Sequence, residues 1–471
     1  MRIQKALVVL GVVGFATAAA AFATFDFGEF RDHHLDAHSL QVFGVVSPVE
    51  ASSTRSITAQ EANADPTALV TLAKGLRARV VSARADLGAN IDMMAFWPND
   101  HNPTHIIACN EQGTAQPGVQ RIRLSDGAVE TILTGTNSCD PVRRTAWGTI
   151  VVGEESGNTG WLLEIINPLG TTGVSFNRAM GTFSGGVGTT NIATRPAVGR
   201  LSFEGLALLP NGMMYYGDEN RPGTGTPGGA YFKFIPSTSW NGGGSIAALS
   251  QSPLVSGAVY GLRLGKRSSN TDYGQGTQTG RGIWVPITPN AGNNVDLRAA
   301  TALLKLTGYY RPEDAEVDPA ALAEGKVRFC ANNTGNEIDD NYWGETICVT
   351  DGSVAQALAN TAVPEAQLFV VGTPELAMMD NLAYQPGRGN WILHEDGDGP
   401  EVGRNNDLWA CAEDGSDFDS LSDGCIRVAT INDLNAEWTG GFFDPWGEHL
   451  YISVQHNVTG HGVILDIYGW R

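Results

Sequence analysis

The sequence predicts an all-β protein, a single-domain β-propeller of six blades preceded by a short N-terminal helix and arm. Three observations predict it. Glycine makes up 58 of 471 residues and charged residues only 17%, a turn-rich composition when glycine's usual share is about 7%. From residue 76 onward, short apolar runs such as THIIACN, GTIVVGEE, AYFKFIP, KVRFCAN, NWILHEDG and LYISVQH alternate with Gly, Asn, Asp or Pro turns, the pattern of antiparallel hairpins. Helical periodicity is nearly absent. Some 400 residues of hairpins exceed one sandwich or barrel, and a propeller of about six blades accommodates them. A faint echo, Trp147-Gly148, Trp343-Gly344 and Trp446-Gly447, sits beside strands at intervals.

Taken in order, residues 1–23 read as a secretory signal peptide. Arg2 and Lys5 form a basic region, residues 6–21 are apolar, and Ala21-Phe22-Ala23 offers a small-residue cleavage site. The mature chain is therefore expected to be exported, periplasmic or extracellular. Residues 24–64 read as an extended arm. Asp65-Pro66 opens a helix-like stretch closed by Gly75, and residues 65–471 form the propeller domain. The six cysteines, Cys109, Cys139, Cys330, Cys348, Cys411 and Cys425, fit an oxidising compartment and three local disulfides. Spacing alone leaves fifteen pairings open. The net charge of −20 repels nucleic acid phosphate and excludes that partner class. No later segment is apolar enough to span a bilayer, and a monomer is expected.

Chemistry gathers at strand ends. Glu111, Glu154 and Glu155, Glu313, Asp380, and Glu395 with Asp396 and Asp398 all flank apolar runs, and Glu204 interrupts one. Isolated carboxylates beside buried strands are costly, and adjacent ones more so. A hard cation such as Ca²⁺, which takes six to eight oxygen ligands, removes that cost. The inner strands of a propeller could bring these distant residues to one axis. The stretch YYRPEDAE adds Arg311, whose guanidinium can clamp a tetrahedral oxyanion bidentately. Cations together with an arginine suit phosphoryl transfer to water. There is no GxSxG elbow, Walker A loop, HExxH or dinucleotide fingerprint after a strand.

With those residues in view, the chain resembles the secreted PhoX-type alkaline phosphatases over roughly residues 65–460. The likeness rests on NIDMMAFWP with ACNEQG, CDPVRRTAWGTIVVGEE, GRLSFEGLALLPNGMMYYGDE, YYRPEDAE, MMDNLAYQPGRGNWILHEDG and DPWGEHLYISVQH. It implies a six-bladed propeller with a central calcium and iron cluster that binds phosphate. It further implies Glu111, Glu154, Glu204, Glu313 and Asp380 as metal ligands, with Glu155 and Asp396 as further ones. Arg311 would contact phosphate and, with Glu313, serve catalysis. The substrate would be a small phosphorylated molecule.

The chain departs from that pattern. Gly153 stands where the family carries a cysteine, Phe203 where it carries a histidine, and Asn457 where it usually carries proline. Without the soft thiolate, iron is disfavoured and an all-oxygen calcium site survives. The signal also lacks a twin arginine. Two readings follow: a calcium-dependent phosphomonoesterase, or a non-catalytic, calcium-stabilised propeller that binds a partner or surface glycan.

Overall fold

A computed structural model of the chain describes residues 33–223, 226–265, 278–287, 294–336, 342–397, 399–415 and 419–471. The expected signal peptide, most of the Gly/Ser/Thr-rich segment 266–280 and Asp398 lie outside them.

Six strands line the centre: Ile91–Trp97, Cys139–Arg144, Phe203–Leu208, Pro312–Val317, Met379–Tyr384 and Glu437–Phe443. Each packs against the next and the last against the first, so they close a ring. From each, a sheet runs outward, antiparallel except where Val174–Asn177 joins Val129–Thr134 in parallel. The arrangement is an all-β propeller, as the hairpin pattern predicts. The units are not all separate blades. The sheets that begin at Phe203–Leu208 and Pro312–Val317 merge into one of nine strands, where Gly280–Pro286 pairs with Glu365–Val371 at their outer edges.

The ring closes with strands from near the N-terminus. Arg77–Ser82 pairs with the C-terminal strand Val463–Tyr468, and Val70–Leu72 pairs with Cys425–Ile431. Closure of this kind leaves few exposed sheet edges. Apolar side chains such as Trp438, Ile452 and Leu465 fill the space between sheets.

Two N-terminal expectations are corrected. Pro66–Leu69 is a single 3-10 turn, capped by the Asp65 carboxylate accepting from Thr67 N, and the chain then enters strand Val70–Leu72. The β-branched Val70 and Thr71 gain sheet partners there, which outweighs the helical start signals. The segment before it is not extended throughout. It holds the helices Ser39–Val42 and Ala59–Ala64, the latter closed by a Thr58–Glu61 capping box. Its Phe43, Val45 and Ile57 are buried in the propeller core. The Trp-Gly echo also dissolves: Trp147 is fully buried and Trp446 is 57% exposed. Those three dipeptides share only a glycine in left-handed backbone.

The disulfides join the three sequential pairs, Cys109–Cys139, Cys330–Cys348 and Cys411–Cys425. The latter two bridge directly opposed residues of adjacent strands. Cys109–Cys139 links two neighbouring sheets instead. It ties the strand that ends just before Glu111 to the inner strand that carries Asp140.

Candidate metal centre at the propeller axis

Each inner strand carries a register shift. It falls between Ile91 and Met94, Cys139 and Val142, Phe203 and Leu206, Pro312 and Ala315, Met379 and Leu382, and Thr439 and Phe442. Such bulges bend a strand and re-aim a side chain. In five of the six, the first bulged residue is acidic: Asp92, Asp140, Glu204, Glu313 and Asp380. In the sixth it is Gly440. Close strand approach accompanies the bulge. A Cβ on Gly205 would stand 1.8 Å from Ala315 N, so only glycine fits beside Glu204.

The neighbouring strand of each unit supplies a second position. The residue just past its end is Glu111, Glu155, Glu219, Thr334, Asp396 or His456. Five of these line one axial cavity of about 430 Å³ together with the bulge carboxylates. The sixth, Thr334, donates its hydroxyl to Glu313 Oε1 at 2.6 Å. The cavity wall holds ten carboxylates, counting Glu437, against Arg221, Arg311 and His456.

Strand alternation decides which member of each acidic pair faces the axis, because successive side chains point to opposite faces. This corrects the expectation for Glu154. Its carboxylate accepts from Asn137 N (2.8 Å) and Trp161 N (3.1 Å) and pairs with Arg178 Nε at 2.8 Å. It is fully buried away from the cavity, while Glu155 lines it. Asp218 and Glu395 likewise turn away, toward Arg298 and Arg404. Glu154→Gln is expected to destabilise the fold by about 1–3 kcal/mol in urea unfolding with bound metal unchanged. Glu155→Gln is expected to do the reverse. Equal metal loss in both variants would contradict this division.

Of the residues singled out in the sequence, Glu111, Glu155, Glu204, Arg311, Glu313, Asp380 and Asp396 all line the cavity. Sequence reading missed Asp92, Asp140, Glu219, Arg221, Glu437 and His456. A signal for two of them was present. IDMM, CDPV, FEGL, PEDA and MDNL share an acidic residue second, a repeat of the bulge itself.

The donors fall into three groups whose ligand atoms lie within 4.8 Å of one another: Asp92, Glu111 and Asp140; Asp140, Glu155 and Glu204; Glu204, Glu313 and Asp380. Asp140 and Glu204 are shared, so the groups form a continuous chain. Buried Asp92 Oδ1 and Asp140 Oδ1 have no hydrogen-bond donor, although buried polar atoms are nearly always paired. Burial, then mutual repulsion, pushes the carboxyls of Asp92, Asp140, Glu155, Glu204, Asp380 and Glu437 well above their ordinary range. Burial raises Glu313 to about 8 against the pull of Arg311. These oxygen donors are crowded together and far outnumber the cationic side chains that face them, which suits a hard cation. No thiolate joins them: all six cysteines are in disulfides. A Cβ on Gly153 would stand 2.7 Å from Phe203 Cβ and Pro141 Cγ, so the packing leaves no room for a cysteine there.

Arg311 sits at the entrance to its inner strand in left-handed backbone, φ +56°. That conformation is rare for a residue with a Cβ and clusters at functional sites. Its Nε donates to Glu219 Oε1 at 2.9 Å and lies 3.1 Å from Glu313 Oε1. Its Nη2 stands 3.8 Å from Asp396 Oδ2. Burial opposes its charge, but Glu313, Glu219, Asp396 and Asp380 outweigh burial and hold the guanidinium well above its ordinary value. Asp314 and Glu316 turn the other way and pair with Arg143.

An acidic, arginine-bearing cavity on the axis of a β-propeller offers oxygen donors for hard cations and a guanidinium for an oxyanion. A family profile described as alkaline phosphatase PhoX matches residues 115–457. The chain belongs to the PhoX alkaline phosphatase family. No curated protein matches it by sequence. Among solved structures, Pseudomonas fluorescens PhoX in complex with vanadate, a transition state analogue, is similar at 15% identity and a TM-score of 0.62, covering 89% of this chain and 98% of that one. A putative gluconolactonase (13% identity, TM-score 0.41, covering 88% and 97%) and a Trichoderma reesei family AA12 enzyme (13%, 0.38, covering 86% and 98%) are more distant.

Proposed function

We propose that the chain is an exported calcium-dependent phosphomonoesterase that hydrolyses small phosphate esters at the propeller axis. The observation that carries this reading is Arg311 set among the chained carboxylate groups. Its membership of an alkaline phosphatase family supports the same chemistry. So does a fold relative in complex with vanadate, a transition state analogue.

Asp92, Glu111, Asp140, Glu155, Glu204, Glu313 and Asp380 would hold the cations. A bound cation supplies Lewis-acid polarisation of a phosphoryl oxygen and lowers the pKa of bound water. The all-oxygen donor set favours Ca²⁺ over iron, which gains from softer ligands. The chain's own residues position the ester. Glu219 and Glu313 fix the Nε edge of Arg311, and its outer nitrogens are left to meet two phosphoryl oxygens. Glu313 is in turn held by Thr334. Preorganisation of this kind stabilises charge that develops on the transferred group.

The test is phosphate release from phenyl phosphate. EDTA is expected to abolish it and Ca²⁺ to restore it, with metal content showing calcium and no stoichiometric iron. Tight calcium binding with no release under any added metal would sink this reading in favour of a non-catalytic, calcium-stabilised propeller.

A further inference from the structure

A second cleft, of about 820 Å³, is lined by Phe176 in the strand Val174–Asn177 and by Trp161, just before the strand Leu162–Ile165. Its lining includes Asn158, Trp161, Phe176, Arg178, Arg200 and Asn294. Two guanidiniums converge there on one carbonyl: Arg200 Nη1 and Arg178 Nη2 both donate to Thr159 O, at 2.8 and 3.3 Å. Glu154 answers only one of them, through Arg178 Nε. Arg200 has no carboxylate among the described residues. Its Nε goes to Asn294 Oδ1, and its plane lies over the Trp161 ring, 3.0 Å from the centroid. One terminal nitrogen of each guanidinium, Arg178 Nη1 and Arg200 Nη2, makes no hydrogen bond to a described residue. Burial, together with the adjacent Arg178 charge, draws Arg200 down to about 10 against the pull of Glu154. In a chain of net charge −20, this is a local excess of positive charge built from partly buried groups.

The cleft and the axial cavity take lining residues from the same two loops. Its lining residue Thr114 follows Glu111 by three positions, and Asn158 follows Glu155 by three. Three residues span at most about 11 Å. A ligand of modest length could therefore reach from one to the other.

The geometry points to this cleft as a subsite for a second anionic group of the substrate, a carboxylate or phosphate carried on the leaving alcohol, held by Arg200 and Arg178. The assignment rests on the phosphomonoesterase reading for its substrate class. It predicts a preference for phosphate esters whose leaving group is itself charged.

The experiment compares phenyl phosphate with 4-carboxyphenyl phosphate on the calcium-loaded protein. KM is expected to be about tenfold lower for the carboxylated ester, the equivalent of ~1.4 kcal/mol. R200Q is expected to erase that advantage while moving KM for phenyl phosphate less than twofold, and R200K to recover part of it. N177D adds a negative charge at the rim (Asn177 Oδ1 already accepts from Met180 N, as Asp can) and should erase the advantage even if R200Q folds poorly. Equal KM values in the unsubstituted protein, or an advantage that survives R200Q and N177D, would overturn the assignment. If neither ester turns over, the phosphatase reading fails separately. Calorimetry with 4-carboxyphenylphosphonate and phenylphosphonate still decides the cleft: a tenfold affinity ratio lost in R200Q supports it, whereas a ratio near one, or no binding of either, overturns it.

Discussion

Arg311→Ala is expected to lower kcat/KM for phenyl phosphate by about 10²- to 10³-fold, the cost of removing one preorganised donor to a developing oxyanion. Most of the loss should appear in kcat, because the Nε edge of Arg311 is held by Glu219 while its Nη2 stands 3.8 Å from Asp396, beyond hydrogen-bond distance, and is left to the transferred group. Arg311→Lys should recover little, since a point charge cannot make the two parallel bonds of a guanidinium. The control is the calcium-dependent rise in melting temperature. It should persist in Arg311→Ala, because the carboxylate oxygens of the three groups, not the guanidinium, would hold the cations. Loss of that rise would show that Arg311 is needed to assemble the centre and would contradict its role as a substrate contact. Unchanged turnover would contradict it equally.

The architecture was readable because hairpins announce themselves locally. Turns such as PNG and PGRG bound each short strand, and no helical stretch competes with them. The joining of two sheets was not readable, since it depends on pairing Gly280 with Ala366 and Arg281 with Glu365 across a long sequence gap. Much of the candidate site was legible for a different reason. Carboxylates at the ends of apolar strands carry a desolvation cost that calls for a partner, so Glu111, Glu155, Glu204, Glu313 and Asp380 stood out. Glu154 misled because a strand's facing cannot be assigned without its register. Once Glu154 is opposed to Cys139, alternation sends Glu155 to the axis. Asp92 and Asp140 were missed because they sit second in apolar strands, where a bulge, invisible to simple alternation, turns them inward.

Electrostatics link these residues to the chain's bulk charge. Surplus acid is concentrated where ten carboxylates face one cavity. A cleft lined by one sign of charge focuses its field and raises local counter-ion concentration. The same field repels a phosphate ester unless cations occupy the groups first, so binding order follows from charge: metal before substrate. Arg311 and Arg221, which line the cavity, are the local reversals of sign that such a substrate would meet first.

Asp140→Asn combined with Glu204→Gln is expected to weaken calcium binding by about 10²-fold or more, since substitutions even one shell further out cost 10- to 100-fold at metal sites. Each of the two residues serves two of the three donor groups, so the pair touches every group at once. The sign of the stability change should invert with metal. With calcium present, the variant loses the mass-action stabilisation that a tight ligand gives, about 4 kcal/mol at a thousandfold excess over Kd, and melts lower. In EDTA it should melt higher than the unsubstituted chain, because it removes two buried carboxyls that burial and mutual repulsion disfavour as anions. The pH dependence follows. The folded-state pKa of both carboxyls is raised, so without metal their cost is absent below the unfolded values, near 4, and grows as pH rises above them. The advantage of the variant in EDTA should therefore widen from about pH 5 to pH 8. Melting below the unsubstituted protein in EDTA across that range would show that these carboxylates hold the axis together by contacts of their own, and the case for a cation-dependent centre would fall with it.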